Sequence, residues 1–198
     1  MGQPKIEKKH LSISEWVELE QSGDLRYEYH LGEIFAMAGG TIHHTMISSN
    51  AAFEVENHFR STNKNCIALN SEAKIEINKD KRYVYPDTLA ICGEVKESEH
   101  IKGAVTNPIL VIEVTSESSG AYDRGVKYKY YKRLPSVKEY LILEQAKYEA
   151  TLYRRNGDGD IFSRIEFEGP DAIVELNSIQ LSIQLGKFYR NVIFSPES

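Results

Sequence analysis

The sequence is short of several things, and each shortage narrows what the chain does. No apolar run approaches the length that crosses a bilayer. The opening residues MGQPKIEKKH lack the apolar core of a signal peptide, so the expectation is a cytoplasmic chain with no membrane partner. Cysteine is scarce: Cys66 and Cys92 are the two, at no metal-ligand spacing. They are expected to be free thiols in a reducing compartment. Positive charge is not in excess either. Lys and Arg number 24 against 29 Asp and Glu, a net charge of −5. That balance argues against coating nucleic acid by bulk charge and leaves room only for a local basic surface. There is no repeat, low-complexity tract or linker, and no helix-turn-helix or zinc-finger pattern.

What is present is an ordinary globular composition. The 198 residues are 41% hydrophobic and 27% charged, enough to bury a core without staples. One domain over residues 1–198 is expected. Ser12 and Glu15 have capping-box spacing, so a helix starts there and stops near Gly23. RYEYHLGEIFAM reads as two short strands around Leu31-Gly32. In HHTMISSNAAFEVENHFR, the positions Ile47, Ala51, Ala52, Val55 and Phe59 share one helical face. SEAKIEI alternates as a half-buried strand, and YVYPDTLAIC is a strand interrupted by Pro86. Residues 109–114 are almost continuously apolar and β-branched, the mark of a strand covered on both faces. A second helix is expected over residues 124–134, ended by Pro135. The strand EYLILE, a hairpin turning at residues 157–160 and a β-rich tail follow, with a helical turn around residues 187–192. The order implies an α/β domain on a mixed sheet.

One residue breaks the apolar strand. Glu113 puts a carboxylate where burial makes an unpaired charge costly, so it must protonate, pair or bind a cation. The strand could end there, at the rim of the sheet where ligands bind. Asp87 has a similar setting, after Pro86 and before Leu89-Ala90-Ile91. If the two strands are neighbours, both carboxylates reach one edge. Such a hard, oxygen-only pair suits magnesium or manganese, whose bound water attacks phosphodiesters. A lysine is then needed near the water or the developing charge. Lys127, closest to the start of the following helix, is the candidate among Lys127, Lys129 and Lys132.

Asp87 in YPD, Glu113 in VIEVTSES and the following YDRGVKYKYYKRLPSVKEYLIL resemble the Uma-two-type restriction endonucleases of the PD-(D/E)XK nuclease superfamily. The likeness covers about residues 11–192 and includes RYEYHLGEIFAM and the helix beginning at His43-His44. It implies a restriction-endonuclease-like fold, a mixed β-sheet flanked by helices, here with a β-rich C-terminal extension. It implies an Mg²⁺- or Mn²⁺-dependent endonuclease acting on DNA. Asp87 and Glu113 would bind the metal, with the Val114 carbonyl as third ligand. The triplet here is Glu113-Val114-Thr115, with threonine where lysine normally stands. The resemblance places that lysine at Lys127 on the next helix, and offers Glu33 as an additional acid. Because duplex cleavage takes two sites, a homodimer is expected.

Plainer readings stand beside these. Asp87 could end a strand, and Glu113 could form a structural ion pair. Arg124, Lys129 and Lys132 sit in a stretch that carries no acid from residue 124 to 138, which is either a solvated face or a phosphate-contacting one. Tyr128, Tyr130 and Tyr131 fit packing, with Tyr131 one turn from Lys127. His43 and His44, being adjacent on a helix, point apart and cannot easily grip one ion. NGDGD lacks the full calcium-loop ligand series. A nucleic-acid-binding or interaction module without catalysis remains the alternative function, and a structural domain dimerising through its tail a third.

Overall fold

Ser12 closes its capping box with Glu15, the Glu15 N–H reaching Ser12 Oγ at 3.3 Å and the Ser12 N–H reaching Glu15 Oε2 at 2.7 Å. The box starts α1 (Ile13–Ser22), which Gly23 ends. The structure, a computed structural model, describes residues 6–8, 10–23, 25–37, 40–77, 82–116, 119–157 and 159–194. The first five residues, part of the opening segment read above, lie outside that range, as does Asp158 of the hairpin turn.

The architecture is α/β with mixed sheets flanked by few helices. Among the described residues the expected mixed-sheet architecture is built as two six-stranded sheets and a separate hairpin. The first sheet is ordered β1-β3-β2-β6-β5-β8, from β1 (Ile6–Lys8), β2 (Tyr27–His30), β3 (Glu33–Ala36), β5 (Lys74–Glu76), β6 (Arg82–Val84) and β8 (Ala104–Val105). The second is ordered β12-β11-β10-β9-β7-β4, from β4 (Cys66–Asn70), β7 (Thr88–Cys92), β9 (Leu110–Thr115), β10 (Glu139–Glu144), β11 (Glu149–Arg155) and β12 (Phe162–Glu168). In it β9 runs antiparallel to β7 and parallel to β10. The hairpin β13 (Ile173–Leu176) and β14 (Leu181–Gln184) forms the β-rich C-terminal extension, followed by a 3₁₀ turn at Leu185–Lys187.

Strand alternation assigns each face its partner. Leu110, Ile112 and Val114 point to α2 (Ile42–Ser61), where they pack with Ile47, Ala51, Val55 and Phe59. Val111 points the other way, into a cluster with Ile75 and Val84 of the first sheet and Tyr131, Tyr140 and Ile142. Glu113 shares the Val111 face, so its carboxylate is directed between the two sheets. A third cluster holds α1 down: Trp16 packs on Tyr29, Ile34 and Tyr83, and its indole N–H donates to the Tyr27 carbonyl at 2.9 Å.

Several expectations need correction. β9 does not end at Glu113; it continues to Thr115, and Glu113 is only 3% exposed. β4 is a strand the sequence did not announce. Its antiparallel register with β7 makes Cys66 and Cys92 direct partners, and the two form a disulfide rather than free thiols. Thiol content therefore gives no argument for a reducing compartment. The helix expected over residues 124–134 begins earlier. It runs through α3 (Gly120–Tyr122), a π-helical turn (Asp123–Lys127) and α4 (Tyr128–Lys132). No described helix is long and apolar enough to cross a membrane.

Candidate active site

Pro86 breaks the apolar run after Tyr85, and the break carries the chain from β6 in the first sheet to β7 in the second. Asp87 thus stands at the mouth of β7. The register pairs Thr88 with Ile112, so one step further places Asp87 opposite Glu113, on the same face. Asp87 Oδ2 accepts the Val114 N–H at 2.7 Å. Its Oδ1 lies 2.8 Å from His44 Nε2, in the first turn of α2 where Thr41 caps the His44 N–H. A strand residue turns its N–H and C=O to the same side, so the Val114 carbonyl also faces Asp87.

Lys127 comes from the π-helical turn. A π turn inserts one extra residue into the helical winding and often marks a functional site. Here both of its ends are buried: Asp123 accepts the Thr115 hydroxyl at 2.8 Å, and Lys127 Nζ lies 2.9 Å from Glu113 Oε1. Thr115, which stands where the superfamily triplet has lysine, thus fastens the helix that carries Lys127. The Tyr131 hydroxyl, one turn on, donates to the same Glu113 oxygen at 2.6 Å. Besides packing against the sheet, Tyr131 thus steadies the carboxylate.

Sequence reasoning missed Glu28. It lies on β2, 4% exposed, and its Oε1 is 3.2 Å from Lys127 Nζ. The signal available was the polar pair Glu28 and His30, which alternation puts on one face of a strand otherwise made of tyrosines. Glu33, the acid offered from sequence, opens β3 opposite His30, half-buried. Glu28, from the neighbouring strand, reaches Lys127 together with Glu113.

The two acids on Lys127 have opposite electrostatics. Burial works to raise the Glu28 carboxyl, but the Lys127 charge and the His30 hydrogen bond outweigh it and hold Glu28 down to about 2. Burial raises Glu113 to about 8, since the Lys127 charge is offset by Asp87 and Asp123. Lys127 is held well above its usual value, because Glu113 and Glu28 overcome the burial that disfavours its charge. Burial works to lower His44, but the hydrogen bond to Asp87 and the Asp87 charge together outweigh it and raise the ring. Two carboxylates, Glu28 and Glu113, therefore contact one buried ammonium, Asp123 adds to its field, and Asp87 acts on Glu113. Asp87 and His44 are the more exposed end, with side chains 13% and 25% accessible.

The donor set can be tested against a hard dication. Among the described residues, no three Asp, Glu, His or Cys side chains enclose a metal by themselves. Two carboxylates and a peptide carbonyl remain, which suits Mg²⁺, an ion that keeps several waters and takes only one or two carboxylates. The basic residues named from sequence are spread out. Arg124 is ion-paired with Glu144, Lys129 is exposed, and Lys132 is half-buried.

The sheets, the Pro86 crossing and the lysine-bearing helix define a nuclease-like α/β fold. A crystal structure from Anabaena variabilis ATCC 29413, of "a putative nuclease belonging to DUF820", shares it at TM-score 0.67 and 16% identity, over 83% of this chain and 90% of that one. The Uma2 family, described as "Putative restriction endonuclease", matches residues 13–186, and the chain belongs to that family. It is also similar to two proteins of Synechocystis sp. (strain ATCC 27184 / PCC 6803 / Kazusa). "Uncharacterized protein slr1290" is 34% identical over 93% of this chain and 94% of that protein. "Uncharacterized protein sll1609" is 27% identical over 87% and 96%.

Proposed function

We propose that the chain is a metal-dependent endonuclease that hydrolyses DNA phosphodiester bonds. The observation that carries this reading is the convergence of Asp87, Glu113 and the Lys127 ammonium between the two sheets. Asp87, Glu113 and the Val114 carbonyl would hold Mg²⁺ or Mn²⁺, which when bound supplies an acidified water and charge stabilisation at the phosphate. The electrostatics of Glu113 support it: burial, with Asp87 and Asp123 nearby, pushes its carboxyl up to about 8 in spite of Lys127, and a dication would offset that negative charge.

The chain's own residues do the rest. Lys127 presents an ammonium to the attacking water or to the developing phosphate charge. Tyr131 keeps Glu113 in place through its hydroxyl, which burial holds in the protonated, donating form. His44 and the Val114 N–H orient Asp87. Lys129 and Lys132, beyond Lys127 on α4, would meet backbone phosphates, with Arg124 contributing from its pair with Glu144. Cutting both strands of a duplex calls for two such sites, so a homodimer belongs to this reading.

The alternative, an interaction module on the same fold, draws on one observation: both Asp87 oxygens already accept hydrogen bonds within the chain. Mn²⁺-dependent cleavage of plasmid and oligonucleotide DNA separates the two. Wild type should cleave, and Asp87→Ala and Glu113→Ala should each lose about a thousandfold in rate with the far-ultraviolet circular dichroism unchanged. Cleavage that survives both substitutions, or no cleavage under any metal, favours the module.

A further inference from the structure

We propose that Glu28 is the positioning residue of Lys127: it, and not Glu113, keeps the ammonium in place once a dication occupies Glu113. The proposal rests on the metal-site reading above. Its basis is the difference between the two carboxylates that share the lysine.

An ionised carboxylate offers about four acceptor sites. Glu28 has all of them filled by the chain. Oε1 lies 3.2 Å from Lys127 Nζ and accepts the Tyr85 N–H at 3.3 Å. Oε2 accepts the Tyr122 hydroxyl at 3.0 Å and sits 3.3 Å from His30 Nε2. His30 Nδ1 is buried and takes no hydrogen bond among the described residues. Nε2 is thus the ring nitrogen that meets this cluster, 3.3 Å from Glu28 Oε2 and 3.2 Å from the Tyr122 hydroxyl. Glu113 is different. Lys127 and Tyr131 both meet its Oε1, and Oε2 accepts no hydrogen bond from a described residue.

A metal therefore has an open oxygen on Glu113 and none on Glu28. When the ion takes Glu113, its charge repels the ammonium beside it. A lysine held by Glu113 alone would swing away. Glu28 holds it by charge, and the Tyr85 carbonyl, 3.4 Å from Nζ, adds a second anchor. Tyr85 also donates its N–H to Glu28, so one residue ties the lysine and its tether to the strand crossing that delivers Asp87. Glu28 thus acts through Lys127 and touches neither metal nor substrate.

Labelling of lysines with an amine-reactive ester, read peptide by peptide by mass spectrometry, tests this without requiring activity. In metal-free protein, Lys127 should stay protected in Glu113→Gln and label about tenfold faster in Glu28→Gln. In wild type saturated with Mn²⁺, Lys127 should remain protected. Unfolding curves on each variant control for loss of fold, and the wild-type comparison with and without Mn²⁺ needs no variant at all. Mn²⁺ that exposes Lys127 in wild type overturns the proposal, as does release of Lys127 in Glu113→Gln but not in Glu28→Gln. If wild type takes no Mn²⁺, the metal reading fails on that ground, and the two variants still decide which acid holds the lysine. In a cleaving enzyme, Glu28→Gln should lower kcat by about 10- to 100-fold with KM unmoved, and add nothing to Lys127→Met. Independent, multiplying losses would contradict the tether.

Discussion

Asp87, the residue before β7, stands one step beyond the Thr88–Ile112 pair that joins β7 to β9, and its Oδ2 accepts the N–H of Val114 at 2.7 Å. The relationship exists because Pro86 ends pairing in one sheet and lets the chain enter the next. A carboxylate at that crossing faces the gap between the sheets. Glu113, on the inner face of β9, faces the same gap, and the π-helical turn fills it with Lys127.

The first prediction concerns pH in metal-free buffer. Glu113 titrates near 8 when folded against an ordinary 4.5. Its contribution is fully present below 4.5 and is lost as pH rises through about 8. His44, also raised, acts with the same sign above its ordinary 6.5. Glu28, held at about 2, contributes above 4.5 and loses its contribution only as pH falls toward 2, so it is silent in this window. Tm should therefore decline from pH 5 to pH 9, and Glu113→Gln should leave only the shallower slope of His44. Saturating Mn²⁺ should flatten or reverse the decline. A Glu113→Gln profile that follows wild type would refute this electrostatic assignment.

The second concerns the end of the lysine-bearing helix. Arg155 is buried, and its guanidinium donates to the carbonyls of Lys132 at 2.8 Å, Leu134 at 2.7 Å and Val137 at 2.7 Å. It closes the C-terminus of α4 from the neighbouring strand β11. Arg155→Met should cost about 2–4 kcal/mol in denaturant unfolding, because several buried carbonyls lose their donor. Arg155→Lys should recover only part, since an ammonium cannot fork across three acceptors. A loss under about 0.5 kcal/mol, the scale of an ordinary surface change, would count against the capping role.

The third concerns the disulfide. Cys66 and Cys92 close a loop with a sequence separation of 26, worth about 3–4 kcal/mol by chain entropy. Thiol titration of oxidised, denatured protein should find no free thiol, and a reductant should lower Tm by several degrees. Two titratable thiols without reductant would restore the expectation drawn from composition.

The site was partly legible in the sequence, and the division has a physical cause. Glu113 stood out because the neighbours Ile112 and Val114 are what a buried strand requires and a carboxylate is not. Asp87 stood out through Pro86. Lys127 was reachable from the strand–helix order. Glu28 was not, because Tyr27-Glu28-Tyr29-His30 reads equally well as a strand with a wet face; the docking of Tyr122, Lys127 and Tyr130 over it makes that face dry. The Cys66–Cys92 partnership depends on the register of strands that lie far apart in the chain, which no local pattern encodes. The π turn is one inserted residue, and hydrophobic periodicity does not resolve it.

The most direct measurement is a calorimetric titration of Mn²⁺ into the metal-free chain, repeated with Glu113→Ala and Asp87→Ala. The account predicts a metal site in wild type whose affinity falls at least about tenfold in either variant. Equal heats in all three proteins, or none in wild type, would contradict it.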